Sequence, residues 1–184
     1  GSGNVATHLG AAFKNAGHHI VQVYSPHLQH AELLAYHIKA RAINNLQQIN
    51  PETDLFIIAV KDDAIDALTA RLASFQTLIL HTSGSTDIHT LMKYTAKAGV
   101  FYPLQTFSKS KEVDFGQVPL CIEGSDAATL KLIKELAQTV SNQVQEVNSA
   151  DRLILHLSAV FACNFPNYLY AVAQQMLSRH QCPF

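Results

Sequence analysis

The sequence predicts a doubly wound, mostly parallel α/β sheet over residues 1–147, followed by the start of an α-helical domain over 148–184. Three observations carry this. The chain opens on Gly1-Ser2-Gly3-Asn4-Val5-Ala6, a G-x-G-x-x-A turn running into a helical pattern. Apolar strand-like runs then alternate with helical stretches as far as Val147, the pattern of a parallel sheet with crossover helices. After Asn148 the chain reads as helix to about Ser178.

Each element has its own signal. Val5, Leu9, Ala12 and Phe13 share one helical face, and Gly17 ends that helix. Residues 19–25 read as a strand, 28–38 as a helix and 40–43 as a short strand. Pro51 and Asp54 lead into residues 55–60, a continuous apolar run suited to a strand buried on both faces. Asp62 and Asp63 put acids at the positive end of a helix over 64–73. Residues 77–81 form the next buried strand, and Ser85-Thr86-Asp87 is expected to cap a helix over 87–97. Strands follow at 100–102 and 118–122, where Pro119 marks an edge or a strand start. Ser125-Asp126 caps a helix over 127–140, and 143–147 alternates as an edge strand. From Leu153 to Ala162 the final helix is apolar on nearly every side, the mark of a helix buried all round. A small sheet domain does not cover it alone, so it calls for a second helical domain, a partner subunit, or both. Pro166 is expected to kink it.

Composition excludes some classes. Thirteen basic and fourteen acidic residues nearly cancel without forming blocks, so there is no electrostatic footprint for nucleic acid or a membrane surface. The apolar stretch around 153–163 is too short to span a bilayer and contains His156. Cys121, Cys163 and Cys182 have neither metal-ligand spacing nor disulfide logic and fit a reducing cytosol. The ten histidines are scattered, with no metal-type arrangement.

Ligands of doubly wound sheets sit at the carboxyl ends of the strands. The glycine turn lets backbone approach a pyrophosphate and aims a helix N-terminus at it, with Gly1, Ser2, Gly3, Asn4 and Val5 as its lining. After the strand ending at Tyr24 no acid occurs before Glu32 to take a ribose 2′-hydroxyl. Ser25 and His27 suit a 2′-phosphate instead, which favours NADP over NAD; the alternative is an unselective site. Val60 and Lys61 would flank the cofactor, while Asp62 either faces it or only caps a helix. His81-Thr82-Ser83-Gly84-Ser85 would hold the nicotinamide carboxamide or the substrate, unless it is an ordinary Ser/Gly loop. His81 can exchange a proton near neutral pH or be structural. Gln105, after Tyr102-Pro103, is a substrate-side candidate. His156, Val160, Cys163 and Asn167 fall at heptad spacing, with Asn164 beside them. Polar groups in an apolar helix are costly unless paired. His156 and Asn164 are therefore read as a ligand-facing wall, or else as a buried network or dimer contact. The candidate catalytic set is His156, Asn164 and His81, and the candidate substrate contacts are Gln105, Cys163 and Asn167; no metal is expected.

Gly1–Ala6, His81–Ser85, Tyr102–Phe107 and His156–Phe165 together resemble a family of bacterial proteins with a Rossmann-like domain followed by a domain of unknown function. Its members are assigned as NADP oxidoreductases by similarity to deazaflavin-dependent NADP reductases. The wider group includes pyrroline-5-carboxylate reductase and the 6-phosphogluconate and prephenate dehydrogenases. The resemblance implies hydride transfer between NADP and an unidentified small substrate, and a homodimer through C-terminal helices. It also implies a short apolar strand ahead of Gly1 and further helices beyond Phe184. A second reading, a non-catalytic dinucleotide-binding sensor or assembly protein, is motivated by the lack of an obvious acid/base pair. Tyr94 and Lys97 have the wrong spacing for the Tyr-x-x-x-Lys of short-chain dehydrogenases.

Overall fold

A computed structural model describes residues 1–182 of the chain; the last two residues of the predicted helical segment lie outside the described residues. The strands are β1 (Gln22–Tyr24), β2 (Arg41–Ile43), β3 (Leu55–Ile58), β4 (Leu78–His81), β5 (Ala98–Pro103), β6 (Leu120–Gly124) and β7 (Val144–Glu146). The helices are α1 (Asn4–Asn15), α2 (Leu28–Ile38), α3 (Ile65–Leu72), α4 (His89–Met92), α5 (Ala127–Gln138), α6 (Ser149–Ala159) and α7 (Phe165–Arg179).

The central strands alternate between two cores, as a strand buried on both faces must. Leu80, Phe101, Leu120 and Ile122 point into one core with Leu9 and Phe13 of α1 and Ile133 and Ala137 of α5. Ile79, Val100, Tyr102 and Cys121 point into the other with Ile65 and Leu72 of α3 and Leu91 of α4. Helices thus cover both faces. The buried residues of α2 (Ala31, Leu34, Ala35, Ile38) repeat at i, i+3, i+4 and i+7 and seal a smaller third cluster with Val23 of β1.

The β-structure forms two sheets rather than one: β1 pairs with β2, and β3-β4-β5-β6-β7 form a five-stranded sheet. Each of β1 and β3 therefore has one unpaired edge. Val21–Tyr24 and Leu55–Ala59 line a common cavity of about 370 Å³ whose walls also include Leu9, Phe13 and Ile38. Pairing is parallel except between β5 and β6. Residues 104–119 contain only a 3₁₀ turn (Phe115–Gln117) and no crossover helix, so the chain returns antiparallel. Pro119 precedes a strand start, not an edge, because β6 lies between β5 and β7.

The helix expected over 87–97 is shorter, because α4 stops at Met92. Asp87 begins the turn by accepting from the His89 N–H. The chain then reverses through Tyr94 to enter β5 at Ala98, while Lys93 and Tyr94 donate to Asp66 on α3.

A buried knot joins the sheet to the C-terminal helices. Arg152, 1 % exposed, donates from Nη1 to Glu123 Oε2 on β6 at 2.5 Å and from Nη2 to the Thr86 carbonyl at 2.6 Å. Ser149 donates its N–H and hydroxyl to the same carboxylate and accepts from the Ile88 N–H. Asn148 caps α6 through the Asp151 N–H. Beyond α6 the helix widens into a π turn (Val160–Asn164) just before Pro166, which has no N–H for the usual i→i−4 bond. The apolar helix is not buried all round: Ile154 is 63 % and Phe161 68 % exposed, and Tyr168, Leu169 and Tyr170 also face outward. The sheet domain covers only the side carrying Arg152 and Leu155. No helix among the described residues is long and apolar enough to cross a membrane.

Removing one partner of a buried ion pair leaves the other charge uncompensated. Arg152→Met is expected to lower unfolding stability by about 3–5 kcal/mol. Urea denaturation measures this, and adding Glu123→Gln should restore part of the loss.

Candidate functional site

The carboxyl ends of β3, β4 and β5 and the N-terminus of α1 converge with α6 on one region. Gly1 packs on the end of β3, where a Cβ would fall 1.8 Å from the Ala59 carbonyl oxygen. At Gly3, by contrast, a Cβ would meet no atom within 4 Å. Gly3 is the N-cap of α1, and no side chain caps the helix there. α5 and α6 are both closed by side chains, from Asp126 and Asn148. The α1 terminus therefore combines free amide donors, the positive end of a twelve-residue helix and open space. That combination fits a phosphate group. Asn4 turns aside to donate to the Phe107 carbonyl, and His8 donates to that of Ser108, pinning the 104–114 loop against α1.

Tyr24 is half-buried, while Ser25 is buried after β1 and donates its N–H to the Ile43 carbonyl of β2. Val60 is half-buried and Lys61 exposed, both just after β3. Asp62 accepts from Ser85 Oγ at 2.5 Å, tying the loop after β3 to the loop after β4. Thr82 donates its N–H to the Ile58 carbonyl, and Ser83 Oγ accepts from the N–H groups of Ser85 and Thr86. Gly84 is buried beneath the Tyr102 and His156 side chains. Tyr102 Oη lies 2.9 Å from His156 Nδ1. Burial pushes the Tyr102 phenol up to about 12.

His81 is fully buried at the end of β4. Its Nδ1 accepts from the Ser83 N–H, so the neutral ring carries its proton on Nε2, which has no partner. Burial first, and the Arg152 charge second, hold its pKa down to about 4. The imidazole is thus kept neutral.

The remaining candidates are dispersed. Gln105 is exposed and accepts from the Thr106 N–H next to it. Cys163, Asn164 and Asn167 lie exposed on the π turn and α7, and no side-chain hydrogen bond among the described residues joins them to His156. The π turn inserts an extra residue between His156 and Asn167 and so breaks the heptad alignment expected of a regular helix. Tyr102, Glu123 and Arg152 were not among the sequence candidates. The available signal was the spacing of Arg152 and His156, which puts an arginine and a histidine on one face of an apolar helix.

A mostly parallel sheet covered on both faces, a glycine turn into an uncapped helix and a helical extension define a Rossmann-like α/β protein. The chain belongs to the Rossmann-like family, whose model matches residues 1–106, and a domain of unknown function, DUF2520, matches residues 118–184. No curated protein matches the chain. Among solved structures, a "putative NADP oxidoreductase" of Bacteroides fragilis is 39% identical, with a TM-score of 0.94, over 100% of this chain and 72% of that one. An imine reductase of Myxococcus stipitatus in complex with NADP+ shares the fold at 13% identity and a TM-score of 0.72, over 100% of this chain and 66% of its own. A pyrroline-5-carboxylate reductase of Coxiella burnetii does so at 16% identity and 0.67, over 98% and 68%.

The buried His81 ties stability to pH. Its folded pKa of about 4 lies below the ordinary 6.5, so the unfolded chain binds the extra proton first. Its contribution is intact above pH 6.5 and is lost as pH falls toward 4, by about 3 kcal/mol in all. Chemical denaturation across this window should show the decline. His81→Asn, which keeps an acceptor for the Ser83 N–H, should flatten it.

Proposed function

We propose that the chain is an NADP-dependent oxidoreductase transferring a hydride between nicotinamide and a small organic substrate. The carrying observation is the uncapped N-terminus of α1 beside the open space at Gly3, at the carboxyl end of β3. The names of the Bacteroides relative and of the NADP+-bound imine reductase support the same reading. Bound NADP(H) supplies the hydride chemistry. The protein binds and orients. Gly1, Ser2, Gly3, Asn4 and Val5 receive the pyrophosphate, and Tyr24 and Ser25 adjoin the adenosine ribose. The absence of an acid before Glu32 favours a 2′-phosphate. Val60 and Lys61 flank the cofactor, and the 81–84 segment bounds its reactive end. We assign proton transfer to His156 rather than to His81, which burial keeps neutral.

The open edges of β1 and β3 and the apolar slot between them suit a strand leading into Gly1. The outward apolar residues of α6 and α7 suit a homodimer through the C-terminal helices, whose interface would draw Cys163, Asn164 and Asn167 toward a substrate. The free cysteines fit a cytosolic setting. Sedimentation of the full-length protein should return a dimer mass, and hydrogen exchange should find the β1 and β3 amides protected. A monomer, or fast exchange at β3, contradicts the respective reading.

NADPH fluorescence titration tests the cofactor reading. A Cβ at Gly3 meets no protein atom within 4 Å, so Gly3→Asp should leave stability within about 0.5 kcal/mol while weakening NADPH at least about tenfold, or 1.4 kcal/mol. Absence of NADPH binding by the wild-type protein sinks the proposal, and binding without turnover of any carbonyl, imine or deazaflavin reduces it to a binding module.

A further inference from the structure

His156 is half-buried and so within reach of water. Among the described residues, the only hydrogen bond of its ring runs from Nδ1 to Tyr102, 54 positions earlier. The rings meet edge-on with centroids 5.8 Å apart. The contact depends on Gly84, where a Cβ would lie 2.6 Å from His156 Nδ1 and 2.8 Å from Tyr102 Cζ. The far side of the pair is fixed by Arg152, one turn earlier on α6 and anchored to Glu123 and Thr86. Three separate segments are therefore arranged around a single phenol–imidazole bond.

The chemistry of that bond sets a direction. Burial keeps the Tyr102 phenol protonated, and His156 is its only partner among the described residues. A hydroxyl that donates to Nδ1 of the neutral ring leaves the ring proton on Nε2. In the imidazolium, Nδ1–H donates to the same hydroxyl oxygen. Nε2 thus carries a proton in the imidazolium and in that neutral tautomer, and is bare only after it has given its proton to a substrate.

We propose that Tyr102 is a positioning residue that holds His156 with Nε2–H as the proton donor to the oxygen or nitrogen of a carbonyl or imine substrate. This rests on the oxidoreductase reading above. In reduction the substrate carbon gains the hydride. The C=O or C=N π pair forms the new bond to the proton leaving Nε2 of the imidazolium. The product is an alcohol or amine, and the ring is left neutral with its proton on Nδ1, donated to the Tyr102 hydroxyl oxygen, until Nε2 regains a proton from water. Cys121, Arg152 and Asp62 are the titratable and charged groups that act on the Tyr102 phenol. Arg152 is held by Glu123 and Asp62 by Ser85, and His81, which shares both as neighbours, stays neutral.

Tyr102→Phe removes the hydroxyl and keeps the ring. Long-range ¹H–¹⁵N NMR of the neutral His156 ring in the full-length protein should show the Nε2–H form dominant in the wild type and mixed tautomers in the variant. With NADPH and either 2-methyl-1-pyrroline or propanal, kcat should fall about tenfold or more, while NADPH affinity is unchanged. The same tautomer in both proteins overturns the positioning role, and a shifted tautomer with unchanged kcat overturns the proton-donor role. Failure of the wild type to bind NADPH counts against the oxidoreductase reading, and the NMR result distinguishes the two.

Discussion

The Arg152–Glu123 pair is the constraint on which the candidate site depends. Among the described residues, it is the one place where the sheet, the loop after β4 and the C-terminal helices are bound by charge-assisted hydrogen bonds. A buried ion pair is a weak source of net stability, because desolvation offsets most of the Coulomb gain. Its effect here is orientation. Glu123 is fixed in the β6 ladder opposite Val100, and Ser149 and Arg152 fix the start of α6 to it. One turn on, His156 has a single place to go, over Gly84 and against Tyr102.

The site also separates two histidines that look alike in composition. His81 lies inside the sheet, with one ring nitrogen occupied by the Ser83 amide and the Arg152 charge nearby. His156 sits on the rim with its ring bonded to a neutral phenol. Desolvation and a like charge hold one imidazole neutral, while a hydrogen bond orients the other. Proximity to the strand ends alone does not distinguish them; burial and partner identity do.

Much of the fold was legible because the central strands are buried on both faces. Residues 55–60 and 77–81 are continuous apolar runs, and α2 spans 28–38 as its periodicity indicates. Strand direction was not legible: nothing in residues 118–122 records that β6 runs antiparallel, since composition reports burial and not polarity of the chain. α4 is short because the return to β5 leaves it little chain, a tertiary demand that overrides helix propensity. At the site, the glycine turn was visible through local spacing. The knot and the phenol–imidazole pair join positions 29 and 54 residues apart, beyond any periodicity, and a lone arginine in an apolar helix reads as an exposed residue until its partner is known.

Gly84 carries a consequence for how the protein can change over time. A Cβ there would lie 2.6 Å from His156 Nδ1 and 2.8 Å from Tyr102 Cζ, so even an alanine collides with both rings. Positions 84, 102 and 156 therefore inherit one steric rule. A side chain at 84 becomes admissible only in a lineage that has first shortened the residue at 156 or displaced the one at 102. Substitutions at these three positions should then appear as linked sets, and a relative bearing a larger residue at 84 records the loss of the pair.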